Sequence, residues 1–342
     1  MLAAAALAFS LPLTGCYVMQ AAGGQLDVMA RSRPIPRVLD DPTTPDATRS
    51  RLELAQQARA FAVLELELPD SGSYTRYADL GRPYAVWNVV ATPEFSLVPL
   101  RWCFPVAGCV SYRGYFDEAA ANAKAWQLAA RGNDAIVEGV ATYSTLGHLP
   151  DPLFSTMLGW SDTRLVGTIF HELAHERLYV SGDSKFNEAF ASVVEHAGVR
   201  RWLAAQGRQK DLEAYERSRR RQAEFVQLLG RSRAALSHLY ESTLPAPEMR
   251  IEKNREFGRL KFEYRNLRAQ WAGYSGYDAW FARPLDNARL ASVATYHDCV
   301  PGLERELAAA GSLPVFYARA ESLAKLTREA RRAAVCESSP SG

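Results

Sequence analysis

Cysteine is scarce in this sequence: five in 342 residues are too few to staple a disulfide scaffold, so the fold must rest on an apolar core. An excess of charge of one sign is lacking too. Forty Lys and Arg against 38 Asp and Glu leave a formal net charge of +2, without the basic surplus by which phosphate neutralisation drives nucleic-acid binding, so nucleic acid is not an expected partner. No apolar run reaches the roughly 20 residues of a bilayer-spanning helix. No repeat of fixed period is found either, which excludes solenoids and propellers. Histidine is sparse, with six in the chain, so any pair at metal-binding spacing stands out. What is present is ordinary: 48% hydrophobic and 23% charged residues describe a soluble-type composition, enough for one large domain or two modest ones.

Residues 1–15 (MLAAAALAFSLPLTG) carry no charge and form a short apolar stretch ending in small residues, the anatomy of a secretory signal. The usual basic start of such a signal is missing, and a start codon assigned too far downstream would explain that; a buried N-terminal helix is the alternative. Leu13-Thr14-Gly15-Cys16 resembles the bacterial lipobox, which implies cleavage before Cys16 and acylation of that cysteine. The implied protein is anchored to a membrane by lipid and faces the periplasm of a bacterial cell envelope. In that oxidising compartment Cys103 and Cys109 (CFPVAGC) can close a short loop bent by Pro105 and Gly108, and Cys299 with Cys336 is a weaker pairing.

The expected fold is α+β, mainly α, with a small β-sheet, a helix carrying His171-Glu172-Leu173-Ala174-His175, an HExxH pattern that resembles the core helix of zincins, and a C-terminal helical hairpin. Four segments are expected: 1–15, the signal; 16–72, helical; 73–205, the catalytic core; and 206–342, helical. The helical pattern breaks at Arg33-Pro34 and resumes after DDPTTPDAT, with Asp46 or Thr48 as cap and Leu52, Ala55, Ala58, Ala62 and Leu66 at helical spacing. Four runs read as strands, YAVWNVVA, FSLVPLRW, VSYRGYF and AIVEGVATY, giving a sheet of three to five strands, with a helix near residues 117–131. Beyond Arg164 the pattern is helical, with 208–242 and 249–271 turned back by Leu244-Pro245-Ala246-Pro247. The run RSRRR at 217–221 lies among Glu213, Glu216 and Glu224 and reads as a solvated face.

The chemistry concentrates in LVGTIFHELAHERLYVSGDSKFNEAFASVVEHAG, residues 165–198. His171 and His175 are four apart, so on a helix their imidazoles share a face and can converge on one metal ion. Glu172 follows the first histidine and is placed to take a proton from a metal-bound water. A catalytic zinc needs a third protein ligand. Leu178 and Ser181 stand where a metzincin would have Gly and His, so that subclass is excluded. Asn187-Glu188-Ala189-Phe190-Ala191 resembles the NExFA segment of gluzincin aminopeptidases, which implies Glu188 as the third ligand.

Glu195 competes with Glu188. Nineteen residues separate it from His175, the more familiar gluzincin interval, against twelve for Glu188. The two acids are roughly 10 Å apart along a helix, so they cannot both bind one ion. With Glu188 as ligand, Glu195 becomes a supporting or substrate-facing acid or a surface charge, and His196 is structural.

The resemblance extends beyond the motif. GCYVMQAAGGQLDVMARSRPI, YADLGRPYAVWNVVATPEFSL, WCFPVAGCVSYRGYFDE, TYSTLGHLPDPL, FHELAHERLYVSGDSKFNEAFA and LDNARLASVATYHDCVPGLERELAAAG together resemble a bacterial family of zinc aminopeptidases, over nearly the whole mature chain. It implies one Zn²⁺, a peptide substrate, and an oxyanion donor for which Tyr274, Tyr277, His238 and Tyr240 are the candidates. The GxMEN segment that binds the free amine in gluzincin aminopeptidases is missing; Glu138 lies near its place, and residues 140–147 are read as the edge strand against which substrate would lie. An endopeptidase, or a non-catalytic envelope lipoprotein whose helical hairpin binds a partner, are the rival readings. The sequence is silent on oligomeric state.

Overall fold

The computed structural model describes residues 11–104, 108–145, 149–294 and 299–336. The expected signal falls mostly outside them, as do the side chain of Cys16, the Pro105 bend and the end of the 140–147 segment. The described chain is mainly helical with small sheets, the expected α+β class. No helix among the described residues is long and apolar enough to cross a membrane.

In chain order the elements begin with α1 (Leu11–Arg31), β1 (Ser32–Pro34), α2 (Ile35–Leu39) and α3 (Asp46–Glu65). The break at Arg33-Pro34 is where expected. The cap of α3 is not: Pro45 precedes it without a side-chain cap, and Asp46 is already its first helical residue. Proline's fixed φ, preset for a helix start, replaces the capping hydroxyl or carboxylate there. Next come β2 (Arg76–Ala78), β3 (Val86–Pro93), β4 (Trp102–Phe104), β5 (Gly108–Val110), β6 (Arg113–Tyr115), α4 (Glu118–Ala129), β7 (Asn133–Val140) and β8 (Leu153–Phe154). A 3₁₀ turn at Ser155–Met157 leads to α5 (Asp162–Arg177) and α6 (Ser184–Ala205). The remainder is α7 (Gln209–Tyr240), α8 (Ala246–Gln270), α9 (Asp278–Ala282), α10 (Asn287–Ala294), α11 (Val300–Ala310), α12 (Leu313–Ala324) and α13 (Arg328–Val335).

The strands form three small sheets where one was expected: β1-β2-β8, β6-β3-β7 and the ribbon β4-β5. Of the run FSLVPLRW only the last residue joins a strand. The chain turns after Pro93, with the Ser96 N–H donating to its carbonyl at 3.1 Å, and Pro99 has no N–H to offer a ladder. The expected edge strand is displaced as well. The edge strand β7 ends at Val140, where the expected one begins, because the Ser144 hydroxyl (3.0 Å) and the Thr145 N–H (2.8 Å) bind the Asp151 carboxylate and fold the chain into a loop.

The chain divides into two compact units, 1–89 with 113–124 and 137–176, and 90–112 with 125–136 and 177–342. In the first, α3 buries Leu52, Ala55, Ala58 and Ala62 at helical spacing, and Phe61 stacks on Phe170 with centroids 6.0 Å apart. In the second, α7 and α8 make the expected hairpin, closed by Phe225, Leu228, Leu229, Leu236, Phe257, Leu260 and Tyr264. Both cysteine pairs are disulfides. Cys103 and Cys109 face each other across the β4-β5 ribbon, and Cys299 joins Cys336 across 37 residues.

Candidate functional site

Helix α5 is held by Leu165, Val166, Ile169, Phe170, Leu173 and Ala174, all fully buried. That apolar stripe fixes the helix's rotation and leaves His171 and His175 one turn apart on another face. Their rings stand edge to face, 4.8 Å between centroids, with His175 5% exposed and His171 half-buried.

The chain then reverses in residues 178–183. Gly182, five residues beyond the end of α5 at Arg177, takes φ +80°, a left-handed conformation that side-chain-bearing residues rarely adopt. Asn187 is buried and clamps the reversal: its Oδ1 accepts from the Val180 N–H at 2.8 Å and its Nδ2 donates to the Val180 carbonyl at 2.9 Å. Asp183, 1% exposed, is paired with Arg331 at 2.9 Å, and Arg332 lies 3.8 Å away. The residue after Asn187 is Glu188, on the second turn of α6, with Phe186 and Phe190 buried on the same helix and Phe190 stacked on Phe316.

The outcome is that ligand atoms of His171, His175 and Glu188 all lie within 4.8 Å of one another. Two imidazoles and one carboxylate are the donor set of a catalytic zinc site. With metal–ligand bonds near 2.0 Å, a tetrahedral ion needs its ligand atoms about 3.3 Å apart, so the three side chains fit such an ion after a modest contraction. Glu195 is not in the group.

Glu172 is half-buried next to His171. Behind it stands a residue the sequence did not flag. Tyr74 is 1% exposed, its backbone is left-handed at φ +61°, and among the described residues its hydroxyl has no hydrogen-bond partner. Burial pushes that hydroxyl's pKa well up, and the charges of Glu172, Asp151 and Glu176 push it further. Its N–H donates to the Asp151 carbonyl at 2.7 Å and Gln56 holds its carbonyl at 2.7 Å, so the ring is fixed from the main chain. Asp151 is itself 3% exposed, its carboxyl raised by burial against the hydrogen bonds from Thr145 and Ser144. No sequence signal links SGSYT to HELAH, since the two meet only through the fold. Tyr179, 46% exposed in the reversal, feels the Glu188 charge; burial and that charge raise its hydroxyl.

The other expected residues are placed as follows. Glu195 lies where its charge raises the hydroxyl of half-buried Tyr215, a smaller effect than desolvation of that hydroxyl. His196 is 3% exposed, with Nδ1 3.2 Å from Arg219 and 3.6 Å from Glu304, which fits the structural role expected of it. Tyr277 stacks on Phe225 at 4.0 Å, its hydroxyl raised to about 12, mainly by burial, and Tyr274 carries the Arg221 guanidinium over its ring at 4.3 Å. Tyr240 donates to Asn287 at 2.8 Å and His238 is exposed on the same last turn of α7. None of these four belongs to the group formed by His171, His175 and Glu188. Glu138 sits half-buried in β7.

A family model described as "Putative aminopeptidase" matches residues 16–335, and the chain belongs to that family. Membership implies a peptidase, a hydrolase of peptide bonds. No curated protein and no solved structure matches the chain.

Proposed function

We propose that the protein is a zinc-dependent aminopeptidase with a zincin-like core, held at the bacterial cell envelope by a lipid on Cys16. The observation that carries the catalytic half is the convergence of His171, His175 and Glu188 from two successive helices, within 4.8 Å. His171, His175 and Glu188 would hold one zinc ion, whose chemistry there would be acidification of a bound water and polarisation of the scissile carbonyl.

The protein's own groups do the rest. Glu172, one residue from the first ligand, takes the water's proton and passes it to the leaving amine. Burial around His175 and Leu173 excludes bulk water from that side of the site and strengthens each charge interaction within it. Asn187 and the Asp183–Arg331 pair hold the reversal that presents Glu188. The envelope half is supported by the lipobox-like LTGC, by a family match that begins at Cys16, and by two disulfides in the remaining four cysteines, which suit an oxidising compartment.

The test is metal content together with hydrolysis of peptides with free and with blocked amino termini, for wild type and Glu172→Gln. The expected result is about one zinc per chain in both proteins, with turnover of free peptides by wild type only. Equal hydrolysis by both would end the peptidase reading in favour of a non-catalytic envelope protein. Cleavage of blocked peptides by wild type would replace aminopeptidase with endopeptidase, the rival reading that rests on the missing GxMEN segment.

A further inference from the structure

Helix α1 has two apolar faces, and the described residues cover only one of them. At 100° per residue, Tyr17, Gly24 and Val28 share the inner side. Val28 is fully buried, a Cβ on Gly24 would strike the Phe116 ring, and Tyr17 meets Tyr115 edge to face at 5.7 Å with Arg113 stacked over it. Gln20 adds polar contact there, accepting from the Phe116 N–H at 3.2 Å. On the opposite side, Met19, Ala22, Gly23, Leu26, Met29 and Ala30 fall within an arc of about 120°. All six are exposed: Met19 to 75%, Leu26 to 64% and Met29 to 51%. Asp27 and Arg31 are the charged residues of the helix, and they pair with each other at 2.8 Å outside that arc.

Single exposed apolar residues are ordinary, but a continuous uncharged stripe opposite a buried face marks a surface that meets a partner. The sequence names the partner. Cys16 belongs to the same helix, and its position falls at the edge of this arc, within one turn of Met19. We infer that this face lies along the lipid bilayer surface, with the acyl chains on Cys16 and the side chains of Met19, Leu26 and Met29 entering the same leaflet. The inference rests on the lipid-anchor reading and goes beyond it: the anchor is not a tether, and the protein body is seated directly on the membrane through α1. Acyl chains on Cys16 must enter the hydrocarbon, which draws the turn of α1 around Cys16 to the interface. An uncharged arc continuing from that turn is the geometry of an interfacial helix.

The test uses the acylated full-length protein, purified from membranes and reconstituted into phosphatidylethanolamine–phosphatidylglycerol vesicles. The native cysteines are in disulfides or acylated, so a nitroxide attaches only to an introduced thiol. Labels at Met19→Cys and Leu26→Cys are compared with one at Leu64→Cys, a 76% exposed site on α3. Collision with a water-soluble nickel chelate should be about tenfold lower at 19 and 26 than at 64, with collision with oxygen higher, as for side chains inside the headgroup boundary. Adding Leu26→Glu to a label at 29 should restore nickel access. Nickel access at 26 equal to that at 64, with acylated Cys16 confirmed by mass, overturns the docking and leaves the anchor standing. Dipolar broadening at 26 that unlabelled protein dilutes away assigns the face to a second copy and overturns it too. An unacylated Cys16 removes both the anchor and this inference.

Discussion

Replacing Asn187 with alanine tests how the Glu188 carboxylate comes to face the two histidines. The side chain is 1% exposed and makes two hydrogen bonds to one residue, 2.8 Å from the Val180 N–H and 2.9 Å to the Val180 carbonyl. Each such bond contributes about 1 kcal/mol net, and each half-buried backbone group left without a partner costs about 1–3 kcal/mol. The substitution strands two such groups and should therefore destabilise the metal-free protein by about 2–6 kcal/mol. Glu188 is the next residue, so a loosened reversal should also spread its carboxylate positions and weaken zinc by about 10–100-fold, as loss of an orienting partner does elsewhere. Asn187→Asp keeps the acceptor for the N–H and loses the donor to the carbonyl, so its effects should fall between. Urea titration with chelator present gives the stability, and competition with a fluorescent chelator gives the zinc Kd. Lost stability with an unchanged Kd would refute the claim that this clamp positions the third ligand.

Arg331→Met strands Asp183 at 1% exposure, with Arg332 at 3.8 Å the one cation left among the described residues to answer its charge, and should cost about 3–5 kcal/mol. Adding Asp183→Asn should recover part of that loss; a double variant no more stable than the single would contradict the pairing as its cause. Burial holds the His196 imidazole below its ordinary pKa, outweighing the hydrogen bond to Glu304, and that bond in turn lowers Glu304. A group depressed in the folded state contributes stability above its unfolded pKa and loses it as pH falls toward the folded value. Both members therefore act in one direction: stability should decline from about pH 6.5 downward, and His196→Gln should flatten the upper part of that decline in melts across pH. Tyr74→Phe deletes a buried hydroxyl without a partner among the described residues, so the variant should melt at or above the wild-type temperature, by up to about 1 kcal/mol. A loss above about 2 kcal/mol would mean that the hydroxyl is engaged.

Much of the site was legible because its parts are close in sequence and helical periodicity is local. The four-residue step from His171 to His175 fixes a shared helix face, and the apolar positions 165, 166, 169, 170, 173 and 174 state which face is buried. NEAFA pointed to Glu188 over Glu195, and Glu188 is the acid whose carboxylate lies within 4.8 Å of the two imidazoles. The four strands were harder. A run such as FSLVPLRW has strand-like residues, but whether it pairs depends on turns at Pro93 and on partners elsewhere in the chain.

What the sequence alone determined is therefore the helical framework, the spacing of His171 and His175 and the balanced charge. Only the tertiary structure decided that Tyr74 stands behind Glu172, that Arg331 neutralises Asp183 from 148 residues away, and that Cys299 finds Cys336. Only the fold, too, left the second apolar face of α1 uncovered. The physical reason is range: propensity and periodicity act within one or two helical turns, whereas burial and ion pairing depend on which distant segments the core brings together.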